Sequence, residues 1–164
     1  MVTPYLAFLS LFGAERLAEL WISRRNARIA FSRGAVEAGA AHFPFMASLH
    51  AAFLPACAAE ALLLHFSFHW TAAAAALCAQ GLRWWAISAL GWRWNVRVLV
   101  VPGAELVRSG PYRFMRHPNY LAVAVEMLCV PLAGGAWICA LVFTALNTAM
   151  LAVRIPAEEQ ALHG

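Results

Sequence analysis

The chain has 164 residues, 63% of them hydrophobic, with a mean hydropathy of +0.67 and a formal net charge of +4. That length suits one domain, and that composition is far more apolar than a soluble domain's, so the chain reads as an integral membrane protein. All twelve basic residues are Arg and all eight acidic ones are Glu; in a membrane chain a basic balance points to anionic lipid or an anionic ligand and away from nucleic acid.

Pro4 to Ile22 is long enough for a first membrane span, about 20 residues being needed, and it lacks the basic start and small-residue cleavage site of a removable signal. Glu15, Arg16 and Glu19 lie on it at helical spacing. They form either an internally paired cluster facing the bundle interior or the point where the helix emerges at the membrane surface. Ser23 to His42 sets Arg24, Arg25, Arg28 and Arg33 against Glu37, with Gly34 and Gly39 as breakers. The positive-inside rule makes it a cytoplasmic segment with room for a short interfacial helix. Phe43 to Leu64 is a second span holding His50, Pro55 and Glu60.

His65 to Trp70 contains no Arg and reads as a short outer connection. His65 and His69 have metal-ligand spacing but no third ligand, so no metal is expected. A third span, Trp70 to Trp92, begins with the run Ala72 to Ala76, whose small side chains permit close helix packing. Trp84, Trp85, Trp92 and Trp94 gather toward its inner end, as an aromatic belt or as the lining of an entrance for a lipid substrate. Arg83 lies close enough to that interface to snorkel to it. Cys57, Cys78, Cys129 and Cys139 all fall in apolar runs and read as small buried hydrophobes.

From Arg93 to His117 five Arg stand against Glu105; Pro102-Gly103 marks a turn and Leu99 to Val101 an extended piece. Within and beyond this stretch, SGPYRFMRHPNY (Ser109 to Tyr120) is polar, basic and broken by proline, hence a shaped loop at the foot of a helix starting near Asn119. Irregular backbone beside a membrane is tolerated where it packs in protein or lines a wet cavity. Asn119 to Leu132 and Ala136 to Ile155 then form a hairpin about Gly134-Gly135, and Pro156 to Gly164 is a tail with Glu158 and Glu159. The expected architecture is an all-α integral membrane protein of about five transmembrane helices ending in a helical hairpin. Its N-terminus is expected outside, its polar loops and C-terminus in the cytoplasm. Residues 1–92 form a three-helix scaffold within a single domain, 1–164, and residues 93–164 supply the polar loop, hairpin and tail.

Both polar ends of the hairpin fall on one membrane face and can build one site. Asn147, Arg154 and Glu158 share a stripe of the last helix, with Pro156 placed to bend it. Opposed Arg/His and Glu groups suit a zwitterionic or dipolar ligand: guanidinium binds a carboxylate bidentately, and carboxylate takes an amine, a ribose hydroxyl or a sulfonium. The plainer alternative is that Arg116 and His117 cap helices and bind lipid phosphate while Glu158 and Glu159 solvate the tail.

GPYRFMRHPNY, followed by a hydrophobic hairpin and RIPAEEQAL, resembles the C-terminal signature of the isoprenylcysteine carboxyl methyltransferase family, membrane-embedded enzymes that use S-adenosylmethionine. RNARIAFSRGAVEAGAAHFPFM and GWRWNVRVLVVPGA are similar to its small bacterial members, some of which are associated with O-methylation of alkylpyrones or alkylresorcinols. The resemblance implies a cytoplasm-facing pocket for S-adenosyl-L-methionine, with S-adenosyl-L-homocysteine as product. Tyr112, Arg116, His117, Pro118, Tyr120, Glu158 and Glu159 would hold the cofactor, and Arg116, Arg154 and Glu158 would act in catalysis. Trp84, Trp85, Trp92 and Asn147 are expected to face the substrate, a lipophilic or prenylated acceptor drawn from the lipid of a bacterial cytoplasmic membrane; Glu126, which shares the face of Asn119, is expected either to face the substrate or to play an interior structural part. The chain departs from the family pattern in stopping at Gly164, where larger members continue with an aromatic tail, and in Leu121-Ala122, where a glycine often follows the tyrosine. Two other classes share some of these features: NADPH-dependent sterol-reductase-like enzymes, which resemble the same RHPNY pattern, and a small membrane scaffold or transporter, for which Glu60 and Glu126 inside spans speak.

Overall fold

The computed structural model describes residues 2–64 and 68–163 and contains five α-helices among them. His65, one of the two histidines at metal-ligand spacing, lies outside these residues. Helix α1, Thr3–Ser32, runs on unbroken past Ile22. Neither Gly nor Pro occurs between residues 23 and 32, and Arg, Ala and Ile propagate a helix well enough, so the basic segment is helical rather than looped. The helix ends at Arg33, just before Gly34 at φ 79.

The next connection holds strand β1, Val36–Ala38, which pairs antiparallel with β2, Val98–Val100, in the register Glu37 opposite Leu99. This ribbon ties the segment after α1 to the segment after α3. Helices α2 (Phe43–Leu64) and α3 (Trp70–Leu90) begin and end close to the expected limits. Helix α4, Pro118–Ala133, starts with proline in its first turn, where the missing N–H has no intrahelical partner to lose. Helix α5, Trp137–His163, continues through Pro156, which lies on its exposed side, so the expected tail is the end of a helix.

Helix α4 packs between α3 and α5. The α4–α5 turn is held by α1: a Cβ at Gly134 would stand 2.2 Å from the Tyr5 ring, so only glycine admits that approach. The apolar core runs through Tyr5, Phe12, Phe53, Cys57, Val130 and Phe143. Cys57 and Cys139 are buried and Cys129 half-buried, whereas Cys78 is exposed, unlike the buried position expected for it.

Two buried polar features join the helices. Glu19 on α1 receives Arg83 of α3 at 2.5 and 2.9 Å, and Arg16 of α1 meets Glu19 and Glu126 of α4, each at 2.7 Å. Glu19, Arg83 and Glu126 are 2%, 5% and 4% exposed. The Arg16–Glu19 pair therefore faces the interior, and Arg83 turns inward to two carboxylates instead of snorkelling. Elsewhere, Glu60 of α2 accepts from the backbone N–H groups of Ile138 and Cys139 at 2.9 and 2.7 Å. It caps the N-terminus of α5, whose first amides have no intrahelical acceptor and whose dipole favours a negative charge. That use accounts for a carboxylate inside α2.

Among the described residues two helices are long and apolar enough to cross a membrane by length and composition, Ala40–Leu64 and Trp137–Leu162; Pro118–Ala133 is apolar but shorter. The interior ions make a specific prediction. Arg83→Met leaves two buried carboxylates to share Arg16 alone, one negative charge in excess, and is expected to lower stability by about 3–5 kcal/mol, whereas Glu19→Leu with Arg83→Met removes one charge of each sign and keeps the Arg16–Glu126 pair. Thermal unfolding in detergent should rank the double variant above the Arg83→Met single.

Candidate active site

At the end of the bundle where α1, α3 and α5 finish and α4 begins, the chain lines a half-open cavity of about 650 Å³, within the usual range for small-molecule sites. Its wall comes from residues 92–101 around β2, the turn near Tyr112, the start of α4 and the last turns of α5. Short elements fix each contribution. Gly110 takes φ 58 at the head of a 3₁₀ turn, Gly110–Arg113, and presses so close to α3 that an added Cβ would lie 2.8 Å from the Ala89 Cβ. Pro118 is buried and sets the start of α4 without lining the cavity.

Tyr120 is the hub of the polar side chains. Its hydroxyl donates to Glu158 Oε2 and accepts from Arg154 Nε at 3.0 Å. Arg154 also donates through Nη2 to the Val96 carbonyl at 2.5 Å, and at 6% exposure it is nearly enclosed. Beside this group the His117 ring stacks on Tyr120 with centroids 5.4 Å apart, and its Nε2 lies 3.1 Å from Glu159 Oε1. Arg116 stands on the rim: its side chain is 87% exposed and reaches Glu159 only at 3.9 Å. Tyr112 also lines the cavity, and burial, followed by the charge of Glu158, raises its phenol above the ordinary value.

Of the residues expected from the sequence, Tyr112, Arg116, His117, Tyr120, Arg154, Glu158, Glu159 and Trp92 all line this one cavity. Trp84, Trp85, Glu126 and Asn147 do not. Trp85 is 49% exposed beside the Phe114 ring, and Glu126 belongs to the interior ion cluster. Asn147 is 2% exposed on α5, with its Nδ2 unpartnered among the described residues. Two guanidiniums, Arg33 and Arg93, lie over the Trp92 ring, 4.1 and 5.3 Å from its centre.

The wall also includes Trp94, one of the tryptophans gathered at the inner end of the third span, and Arg93, Asn95, Arg97 and Asn119, to which the sequence gives no site role. Asn119 lies inside the RHPNY motif, so its position was the available signal. Trp94 and Asn119 each carry a buried atom, Nε1 and Oδ1, without a partner among the described residues. The 91–97 loop is held from outside the cavity by α1. Asn26 Nδ2 donates to the carbonyls of Gly91 and Trp94 at 3.0 and 2.8 Å, and Ser23 pairs with Asn95.

A model of the isoprenylcysteine carboxyl methyltransferase (ICMT) family matches residues 71–164. The chain is 40% identical over 157 residues to the uncharacterized protein YpbQ of Bacillus subtilis (strain 168), a match covering 94% of each. It is 31% identical over 153 residues to an uncharacterized protein of Haemophilus influenzae, covering 91% of this chain and 89% of that one. No solved structure matches it.

The close approach at Gly110 is open to test. Gly110→Ala imposes both a left-handed conformation on a residue with a Cβ, costing about 1–2 kcal/mol, and a clash with Ala89. Thermal unfolding should show a loss at least that large.

Proposed function

The chain belongs to the isoprenylcysteine carboxyl methyltransferase family, and from that membership of a membrane methyltransferase family we propose an S-adenosylmethionine-dependent O-methyltransferase acting on a lipophilic acceptor. One observation carries the proposal: Arg154, Tyr120 and Glu158 form a hydrogen-bonded row on the wall of one cavity, with His117 and Glu159 beside it.

The cavity suits that cofactor. Its lining carries both carboxylates, Glu158 and Glu159, and guanidiniums, Arg154 on the same helix and Arg93 and Arg97 on the 91–97 loop, as a ligand with a cationic centre and an amino-acid end requires. Asn119 Oδ1 and Trp94 Nε1 offer an acceptor and a donor still to be satisfied. When bound, the cofactor supplies a methyl group on a positively charged sulfur. Arg154 then binds an anionic group, either the cofactor's carboxylate or the acceptor oxygen, while Glu158 or Glu159 attracts the positive end. Tyr120 keeps Arg154 and Glu158 from collapsing into a direct ion pair by standing between them.

The reacting oxygen of a carboxylate or an acidic enol is already an anion near neutral pH, and a phenol becomes one by giving its proton to a base, so transfer joins opposite charges into neutral products. Holding the partners in line in a water-poor site supplies much of the acceleration. An already ionised acceptor needs no general base. The resemblance to small bacterial members favours an enol or phenol of a polyketide lipid over a prenylated protein.

The membrane placement follows the same lines. We read all five helices as crossing, with the cavity on the cytoplasmic face beside Arg24, Arg25, Arg28 and Arg33. Helices α1 and α3 are less apolar because they carry charges that neutralise one another inside the bundle. Leu17, Trp21, Leu63, Trp70, Trp137 and Leu141, all strongly exposed, then face lipid.

Calorimetric titration of detergent-purified protein with S-adenosylhomocysteine, with NADPH in parallel, tests the reading. Binding of the homocysteine compound and not of NADPH is expected. Arg154→Met and Glu158→Ala should each weaken it by about tenfold or more, as loss of a charge-assisted bond does. Arg116→Ala should change it by less than about threefold, since an exposed, loosely held charge contributes little. Binding of NADPH alone would return the chain to the reductase class.

A further inference from the structure

The row of side chains in the cavity does not end at Arg154. Arg154 Nη2 donates to the Val96 carbonyl, and the backbone of that same residue is held from the other side by α1: Val96 N–H donates to Ser23 Oγ at 3.2 Å. Ser23 Oγ in turn donates to Asn95 Oδ1 at 2.9 Å, and Asn95 Nδ2 returns a bond to the Ser23 carbonyl at 2.8 Å. Asn95 Oδ1 also receives the Arg97 N–H at 2.9 Å. Ser23 is 4% exposed and does not line the cavity. It also lies outside residues 71–164, where the family model matches.

A guanidinium on a long side chain has many rotamers, and fixing one costs conformational entropy that a partner of defined position must offset. Here the partner is a loop carbonyl, and a loop is the least rigid kind of support. Residues 94–97 form no helix, and β2 begins only at Val98. What immobilises the Val96 carbonyl is the bonding of its own and neighbouring groups to a serine in the middle of a long helix.

We propose that Ser23 is a positioning residue for the cofactor site. It locks residues 95–97 so that the Val96 carbonyl holds Arg154 in register with Tyr120 and Glu158. The proposal rests on the methyltransferase reading, and it makes the N-terminal helix a working part of the site rather than a scaffold for it.

The test combines affinity for S-adenosylhomocysteine, amide hydrogen exchange over residues 94–98 and thermal unfolding, for the wild type, Ser23→Ala, Ser23→Cys and Ser23→Thr. Ser23→Cys keeps the volume with a weak hydrogen-bonding group, and Ser23→Thr keeps the hydroxyl. In Ser23→Ala and Ser23→Cys the loop amides are expected to exchange faster and the affinity to fall about 3- to 10-fold, as loss of one or two bonds implies. Ser23→Thr should restore both. Failure of the wild type to bind would sink the cofactor reading itself. Loop loosening with unchanged affinity, or weakened affinity with an unchanged loop, in a wild type that binds, would overturn the role of Ser23 alone. If Ser23→Ala proves too unstable to purify, the same comparison between Ser23→Cys and Ser23→Thr decides the matter.

Discussion

Glu19, Arg83, Arg16 and Glu126 form a closed set of buried ion pairs between α1, α3 and α4, and the geometry of the site depends on it. Each ion costs several kcal/mol to remove from water, and the mutual attraction offsets that cost only when the distances are short and the orientations right. The set therefore tolerates little rotation or sliding of any of the three helices. Its main product is register rather than net stability. Glu19, Ser23 and Asn26 lie at helical spacing on one face of α1, so the rotation that turns Glu19 to Arg83 also turns Ser23 and Asn26 to the 91–97 loop. Likewise Glu126 and Asn119 share a face of α4, two turns apart, so the helix that meets Arg16 at one level presents Asn119 to the cavity at another.

The cavity itself divides into firm and soft parts. Arg154, Glu158 and Glu159 ride on α5 and Tyr120 on α4, and a site on helices is held more precisely than one on loops. The opposite wall, with Arg93, Trp94 and Arg97, is irregular chain, and its order comes from the β1–β2 ribbon on one side and the α1 side chains on the other. Arg97 shows the join: its guanidinium reaches Glu37 across the ribbon at 3.3 Å and lies over the Phe43 ring at the start of α2.

Much of this was legible in the sequence, for reasons of locality. Proline and glycine around SGPYRFMRHPNY act on their own neighbours, so the turn and the start of α4 could be placed from the chain alone. RHPNY and the paired glutamates lie at the ends of one hairpin, so their convergence followed from connectivity. What could not be read was long-range. Glu126 finds Arg16 110 positions away and Arg83 finds Glu19 64 positions away; closeness to the interface suggests snorkelling for Arg83, and the face shared with Asn119 suggests an interior or substrate-facing part for Glu126, but neither signal names a partner. Ser23 and Asn26 were hidden by the arginines around them, which draw attention as a cluster of charge but do not break a helix. The β1–β2 ribbon joins two three-residue strands with no alternating pattern long enough to detect. Pro156 misled in the opposite direction, since on the exposed face of a helix it removes an amide without stopping the turn.

The carboxylate of Glu60 bears on the order in which the protein is assembled. Synthesis delivers α2 well before α5, so the group that completes the first turn of α5 is already in place when that helix arrives. The amides of Ile138 and Cys139 would otherwise enter an apolar layer with nothing to accept from them. Because the hairpin turn also packs against Tyr5, α5 docks into a seat made by α1 and α2. The carboxylates of the cavity lie near the far end of that same helix, so the C-terminal half cut free from the rest would carry the motif without the seat that aligns it.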